Sequence, residues 1–181
     1  MNFLDLVKIR QSVRSYDPER TVEKEKLDRC LEALRLAPSA CNAQPWKIIL
    51  VDDPELKEKI AKAAASYVLG FNKFARQAPL LAVVVREEPN LTSKLGTILK
   101  NKPYTLMDIG IAVEHFCLQA TSEGLGTCIM GWFDEPAVKK LLQIPRNKRT
   151  ELIISIGYPA KPDIRQKIRK PLETICSYNR Y

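Results

Sequence analysis

Apolar residues along this chain change their spacing from one stretch to the next, and the changes mark the elements. Leu27, Cys30, Leu31 and Leu34 recur at three- and four-residue intervals, so residues 23–36 read as an amphipathic helix stopped by Pro38. Residues 2–11 read as a shorter helix. The run 47–51, Lys-Ile-Ile-Leu-Val, reads as a buried strand. Residues 54–65 turn helical again, with Asp53 as N-cap, Pro54 in the first helical position, and Leu56, Ile60 and Ala63 as the apolar stripe. The unbroken run 80–85 reads as a central strand covered on both faces, and the polar stretch 86–103 as an irregular excursion.

In the second half, Leu106, Ile109, Ile111, Val113, Phe116, Cys117 and Leu118 leave residues 104–122 almost no polar face. Such a helix is buried inside the domain or between subunits. Gly124 suits a left-handed C-cap after it. A strand at 127–130, a short helix at 135–142 and a strand at 152–157 complete the pattern. Four apolar strands separated by helices make an α+β or α/β sheet protein with both faces of the sheet covered.

Composition narrows this picture. The 181 residues, 45% hydrophobic and 28% charged, suit one soluble domain over 1–181. No apolar run approaches the ~20 residues needed to span a bilayer, and the N-terminus has no signal-peptide layout, which points to the cytoplasm. Five cysteines without a Cys-x-x-Cys pair suggest neither a disulfide framework nor a zinc site. They read as buried, reduced fillers, with Cys41 in a loop and Cys128 at a strand end the two placed where a thiol could react. The net charge of +8 implies attraction to anions. Part of it is concentrated at 161–170, five basic residues against Asp163. That stretch has no aromatic platform of the kind nucleic-acid binders use, so no nucleic-acid partner is expected.

Two segments carry candidate chemistry. The first is the connection 37–46, Ala-Pro-Ser-Ala-Cys-Asn-Ala-Gln-Pro-Trp, where Ser39, Asn42 and Gln44 sit between two rigid elements and can be aimed at a ligand. The second is Arg10-Gln11-Ser12-Val13-Arg14, which puts two guanidiniums on one face if the first helix persists; the planar fork suits an oxyanion. Together, at this distance from the N-terminus, the two segments resemble the start of the flavin-dependent nitroreductase family. The resemblance continues through Gly124-Leu125-Gly126-Thr127-Cys128-Ile129-Met130-Gly131, Ile156-Gly157-Tyr158-Pro159 and Arg169-Lys170-Pro171-Leu172, and so covers nearly the whole chain. It departs between Val85 and Tyr104, where larger members carry extra helices over the active site.

The resemblance implies a three-layer α/β/α fold with a central mixed sheet, an intertwined homodimer, and FMN as cofactor. It implies that Arg10, Lys167 and Arg169 hold the FMN phosphate, Ser12 the phosphate or ribityl chain, and Arg14 the N1/O2 edge of the ring. The loop residues Pro38, Ser39, Ala40, Asn42 and Gln44 come to lie beside the ring, from the same or the partner subunit. Backbone groups of Ile129, Met130 and Gly131 reach N5 and the ring face; a residue without a side chain lets an N–H approach a flat ligand closely. Asn72 stands where the family often places a contact to the pyrimidine edge, although by itself it reads equally as a loop or cap residue.

No side chain is then needed as nucleophile, because the flavin carries the hydride. The implied activity is FMN-dependent oxidation of NAD(P)H with ping-pong transfer to a nitroaromatic, quinone or enone-like acceptor. Other readings fare worse. Gly124-x-Gly126 with Gly131 follows a helix and precedes a strand, the reverse of a dinucleotide fingerprint. His115 lies mid-helix without a nucleophile elbow, Asp108 reads as a structural charge near a helix start, and Trp46 and Trp132 read as packing or pocket residues. A non-catalytic flavin-binding or basic nucleic-acid-binding protein is the alternative of a different class.

Overall fold

The computed structural model describes residues 2–65, 70–88 and 102–181. Most of the expected excursion at 86–103 therefore lies outside the described residues. The elements run α1 (Phe3–Ile9), α2 (Lys24–Arg35), β1 (Trp46–Val51), α3 (Pro54–Ala64), β2 (Leu80–Arg86), α4 (Tyr104–Ser122), β3 (Gly126–Met130), α5 (Glu135–Leu141), β4 (Arg149–Gly157) and α6 (Leu172–Ile175). Caps fall where side-chain chemistry puts them: Asp53 accepts the Leu56 N–H at 2.7 Å and Asp134 the Ala137 N–H at 3.0 Å. Gly124 takes φ +76° at the end of α4, which lets Leu125 N–H return to Ala120 O at 2.8 Å.

The strands form one sheet in the order β1-β2-β4-β3. All three pairings are antiparallel. The mixed character expected of the sheet is confined, among the described residues, to a single parallel bridge between Ser12 and Thr127 on the edge strand β3. Alternation along β2 explains the layers. Leu80, Ala82 and Val84 pack on one face with Cys30 and Leu34 of α2 and Ile109, Val113 and Phe116 of α4. Leu81, Val83 and Val85 pack on the other with Ile60 and Ala64 of α3 and Val138 of α5. Successive residues of a strand face opposite ways, so a strand apolar at every position is filled from both sides.

The N-terminal helix stops sooner than its pattern implies. Arg10 leaves the helical region at ψ 124°, and the chain becomes an extended strap along the end of the sheet. Val13 N–H donates to Thr127 O, Asp17 N–H to Tyr158 O, and Ala160 N–H to Ser15 O, all at 2.9–3.0 Å. Two glycines make room for it. A Cβ on Gly126 would stand 2.5 Å from a Val13 methyl, and one on Gly157 would stand 3.0 Å from the Tyr16 ring and closer still to Pro79. Tyr16 is buried beneath the strap, its hydroxyl 2.7 Å from Ser155 Oγ and donating to Val13 O at 2.9 Å; burial raises its pKa well above the ordinary tyrosine value.

Candidate functional site

The strap sets the candidate site. Because α1 ends at Ile9, Arg10 and Arg14 do not share a helix face as the sequence spacing suggested. They come together differently, with Ser12, through a second extended segment from the C-terminal tail. The Gln11 side chain joins the two, its amide nitrogen donating to Asp163 O at 2.7 Å and its oxygen accepting from Arg165 N–H at 3.1 Å. Arg165 also donates to Ser12 O. Lys167 donates to Val7 O, at 2.6 Å, and to Lys8 O, closing the C-terminal end of α1 where exposed carbonyls attract a cation.

The result is a cleft of about 360 Å³ lined by Arg10, Ser12, Arg14, Arg165, Lys167 and Arg169 among others. Its cations are poorly neutralised. Arg10 Nε lies 3.3 Å from Glu114 Oε1 but without hydrogen-bond alignment, and it is buried with no other partner. Arg14 stacks its guanidinium 6.0 Å from the centre of the Phe74 ring, and neither Arg14 nor Arg169 has an acidic partner among the described residues. Desolvation, then Arg10 and Arg169, hold the Lys167 ammonium below the usual lysine range. Clustered cations whose one close carboxylate, Glu114, is misaligned suit an oxyanion. Of the three ammonium donors of Lys167 two are spent on α1, leaving one for a ligand.

Cys128 lies under this cleft. Burial pushes its thiol up, opposed by the Arg14 guanidinium and a hydrogen bond from Ser12; Cys30 and Cys117 are pushed up to about 12 and about 11 by burial. All three are buried, while Cys41 and Cys176 are exposed, so the reading of the cysteines as buried fillers fails at those two.

The other sequence candidates lie elsewhere. Pro38, Ser39, Ala40, Asn42 and Gln44 do not line the cleft. Their loop is exposed and tied to itself: Ser39 Oγ accepts Gln44 N–H at 3.0 Å and Gln44 Nε2 donates to Asn42 Oδ1 at 2.9 Å. Cys41, Asn42 and Gln44 all have positive φ, 52°, 51° and 45°, conformations that persist only where the surroundings enforce them. One enforcing contact is the buried Asp108, whose Oδ1 accepts Ala40 N–H at 3.1 Å. Asn72 is a left-handed residue at φ 57° before a 3₁₀ turn, Lys73–Gln77, and its amide nitrogen donates to Ala64 O and Trp132 O. Of the β3 group, Ile129 is exposed and Met130 buried. A Cβ on Gly131 would meet Leu152, at an ordinary 3.8 Å, so no close contact among the described residues requires glycine there. His115 faces Ala33 O at 3.3 Å, in a structural setting.

Two residues of the site had no assigned role in the sequence, Gln11 and Arg165. Arg165, Lys167 and Arg169 alternate, and in an extended chain alternate residues share a face; that periodicity was the available signal. Gln11 offers none, since its partners are more than 150 positions away.

Comparison with known proteins identifies the family. The sequence model of the Nitroreductase family matches residues 7–158. The oxygen-insensitive NADPH nitroreductase of Helicobacter acinonychis is 31% identical over 197 residues, 92% of this chain and 91% of that protein. An iodotyrosine deiodinase of Thermotoga neapolitana is 30% identical over 198 residues, 98% of this chain and 97% of that protein. The solved structure of an FMN-dependent nitroreductase from Clostridium difficile superposes with a TM-score of 0.79 at 27% identity, covering 99% of this chain and 100% of that one.

Proposed function

The chain belongs to the nitroreductase family, and from that premise we propose that it is an FMN-dependent oxidoreductase, taking hydride from NAD(P)H and passing it to an electron-poor acceptor such as a nitroaromatic, a quinone or an enone. One observation carries the reading: cations from both ends of the chain converge, under-neutralised, on one cleft. An FMN phosphate fits that donor set, because Arg10 brings a buried N–H without an aligned acceptor and Arg169 a guanidinium without a carboxylate partner among the described residues. When bound, FMN supplies the two-electron chemistry, its N5 accepting hydride from the nicotinamide and returning it to an acceptor that enters the same space afterwards.

The chain's own residues then do the holding and tuning. Arg10, Arg169 and the remaining donor of Lys167 take the phosphate, Ser12 its neighbouring oxygen or the ribityl chain, and Arg165 locks the strap against the tail. Arg14 supplies positive charge at the N1/O2 edge, where negative charge grows on reduction. The N–H groups around Gly131 would serve the ring. Loop 38–45 completes the site across a homodimer. Its exposure supports that assignment, as do the bare apolar side chains Leu106 and Met107 on α4 and Ile164, Ile168, Leu172 and Tyr178 in the tail, a surface that a second copy would cover. Five cysteines without a disulfide fit the reducing cytoplasm.

Purified protein should be yellow, take up FMN, and lose its visible flavin absorbance when NADPH or NADH is added without oxygen, regaining it with an added quinone. A chain that takes up no FMN, or whose bound FMN neither nicotinamide reduces, would refute the proposal. Light scattering should give twice the chain mass; a monomer with full activity would remove the shared-site assignment of the 38–45 loop.

A further inference from the structure

Asp108 lies one turn into α4 and is 5% exposed, in a place where a hydrocarbon side chain would cost less to bury. Its Oδ2 is buried with no hydrogen-bond partner among the described residues, and a carboxyl oxygen left unpaired in that way is destabilising. Packing does not explain it. What the side chain does hold is the 38–45 loop, because its Oδ1 accepts the Ala40 N–H at 3.1 Å across 68 positions of chain.

That loop needs holding. Cys41, Asn42 and Gln44 stand at φ 52°, 51° and 45°, a region that residues other than glycine enter at a cost. The bonds from Asn42 N–H to Ser39 O and from Ala43 N–H to Ala40 O, at 3.0 and 3.1 Å, close on the loop itself, as do those from Gln44 N–H and Nε2. Such bonds fix its internal shape and not its place. The bond from Ala40 to Asp108 leaves the loop and ties it to the long helix packed on the sheet. Ala40 also opens the 3₁₀ turn Ala40–Asn42, so the tie acts at the start of the strained residues. Leu106 and Met107, just before Asp108, are bare and belong to the surface assigned above to a second copy. The turn of α4 that holds the loop is therefore the one that copy would cover.

Resting on the FMN reading, we propose that Asp108 is the positioning residue of the 38–45 loop, holding it in the form that meets the flavin ring without touching the flavin itself. A residue kept for position rather than for stability is one whose stability cost is left in place, and the open Oδ2 is that cost. Because the loop serves the ring, the effect of Asp108 is indifferent to the flavin's phosphate.

The test titrates the cofactor-free full chain with FMN and with riboflavin, with a thermal melt of each variant alongside. Asp108→Ala should weaken both flavins by the same factor, about tenfold, the scale of one hydrogen bond to a carboxylate, and leave the ratio of their affinities at the wild-type value. Asp108→Asn keeps an oxygen acceptor for Ala40 and should recover most of the loss. Ala40→Pro removes the donor and leaves Asp108 in place; Ser39 is extended at φ −147° and ψ 154°, as a following proline requires, and the first position of a helical turn suits proline. It should weaken both flavins to the same degree, and the double variant Ala40→Pro with Asp108→Ala should lose nothing further. A lowered Tm with both flavins bound as in wild type would overturn the assignment and leave Asp108 a core residue. A loss confined to FMN would overturn it as well, since the effect would then run through the phosphate cleft, and so would losses that multiply in the double variant. If Asp108→Ala does not fold, Ala40→Pro decides alone, wild-type affinity for both flavins overturning the proposal. Failure of the FMN reading itself looks different: wild-type protein would bind neither flavin.

Discussion

Two of the basic clefts among the described residues differ in kind, and only one of them is a convincing site. The first is the cleft of about 360 Å³ between strap and tail. The second, about 820 Å³, lies beside α5 and is lined by Glu135, Lys139, Lys140, Arg146 and Arg149 among others. By volume the second should win. What separates them is how the cations are used. Beside α5, Lys139 donates to Arg146 O and Lys148 O, and Arg149 pairs with Glu135 at 2.9 Å, a carboxylate that also accepts Thr150 N–H. Those charges hold a turn against a strand. In the first cleft the backbone contacts of Lys167 and Arg165 hold the frame, while Arg10, Arg14 and Arg169 have no aligned acid among the described residues. Charge that is already satisfied marks structure; charge left over marks a ligand.

The contrast can be broken most sharply by substitution on both sides. Each charge-assisted contact to phosphate is worth about 1.5–3 kcal/mol, so Arg10→Ala and Arg169→Ala should each weaken FMN binding about tenfold or more, and the double variant about a hundredfold or more. Fluorescence titration with FMN measures this. A double variant that binds FMN like wild type would erase the distinction between the clefts.

Next in size is the frame itself. A methyl on Gly126 collides with Val13, the residue that pins the strap to β3, and overpacking of this kind costs about 1–3 kcal/mol. Gly126→Ala should therefore lower Tm by several degrees, on the order of 2–4 °C per kcal/mol for a chain of this size. It should also weaken FMN binding, because the strap carries Arg10, Ser12 and Arg14. Gly131→Ala, with its ordinary contact, should leave Tm within about a degree of wild type.

A smaller effect sharpens the division of labour inside the first cleft. With FMN saturating, Arg14→Gln should lower the flavin reduction potential by some tens of millivolts, about 30 mV for each 1.4 kcal/mol of lost stabilisation of the reduced form, and slow reduction by the nicotinamide. A potential equal to wild type would move Arg14 from the ring edge to the phosphate or the surface. The smallest effect is expected beside α5. Lys140→Ala with Arg149→Ala should leave FMN affinity within about twofold of wild type and cost about 0–1 kcal/mol of stability, as exposed pairs do.

Much of this fold was legible because the features that build it are local. Residues 104–122 are apolar nearly all round, and Tyr104–Ser122 is the helix observed. Asp53 and Gly124 announced the caps they form. The run 80–85 was apolar at every position because helices fill both of its faces. Long-range backbone pairing was not legible. Val13 to Thr127 O and Lys167 to Val7 O each span more than a hundred residues, so the early end of α1 and the extended strap left no periodic trace. The same limit applies at Asn72, which reads equally as a ring contact or a loop residue and whose amide nitrogen donates to Trp132 O, sixty residues on. The loop at 38–45 was legible as a short connection between two rigid elements, but its three left-handed residues were not, since Cys41 and Gln44 are not the types that advertise that conformation.

The central claim is that the cations gathered by strap and tail exist for a phosphate carried on a flavin. Parallel titration of the cofactor-free protein with FMN and with riboflavin, which share the ring and differ in the phosphate, tests it most directly. If Arg10, Lys167 and Arg169 hold the phosphate, riboflavin should bind at least about a hundredfold more weakly, the loss of two or more charge-assisted contacts. Equal affinity for the two flavins would contradict it.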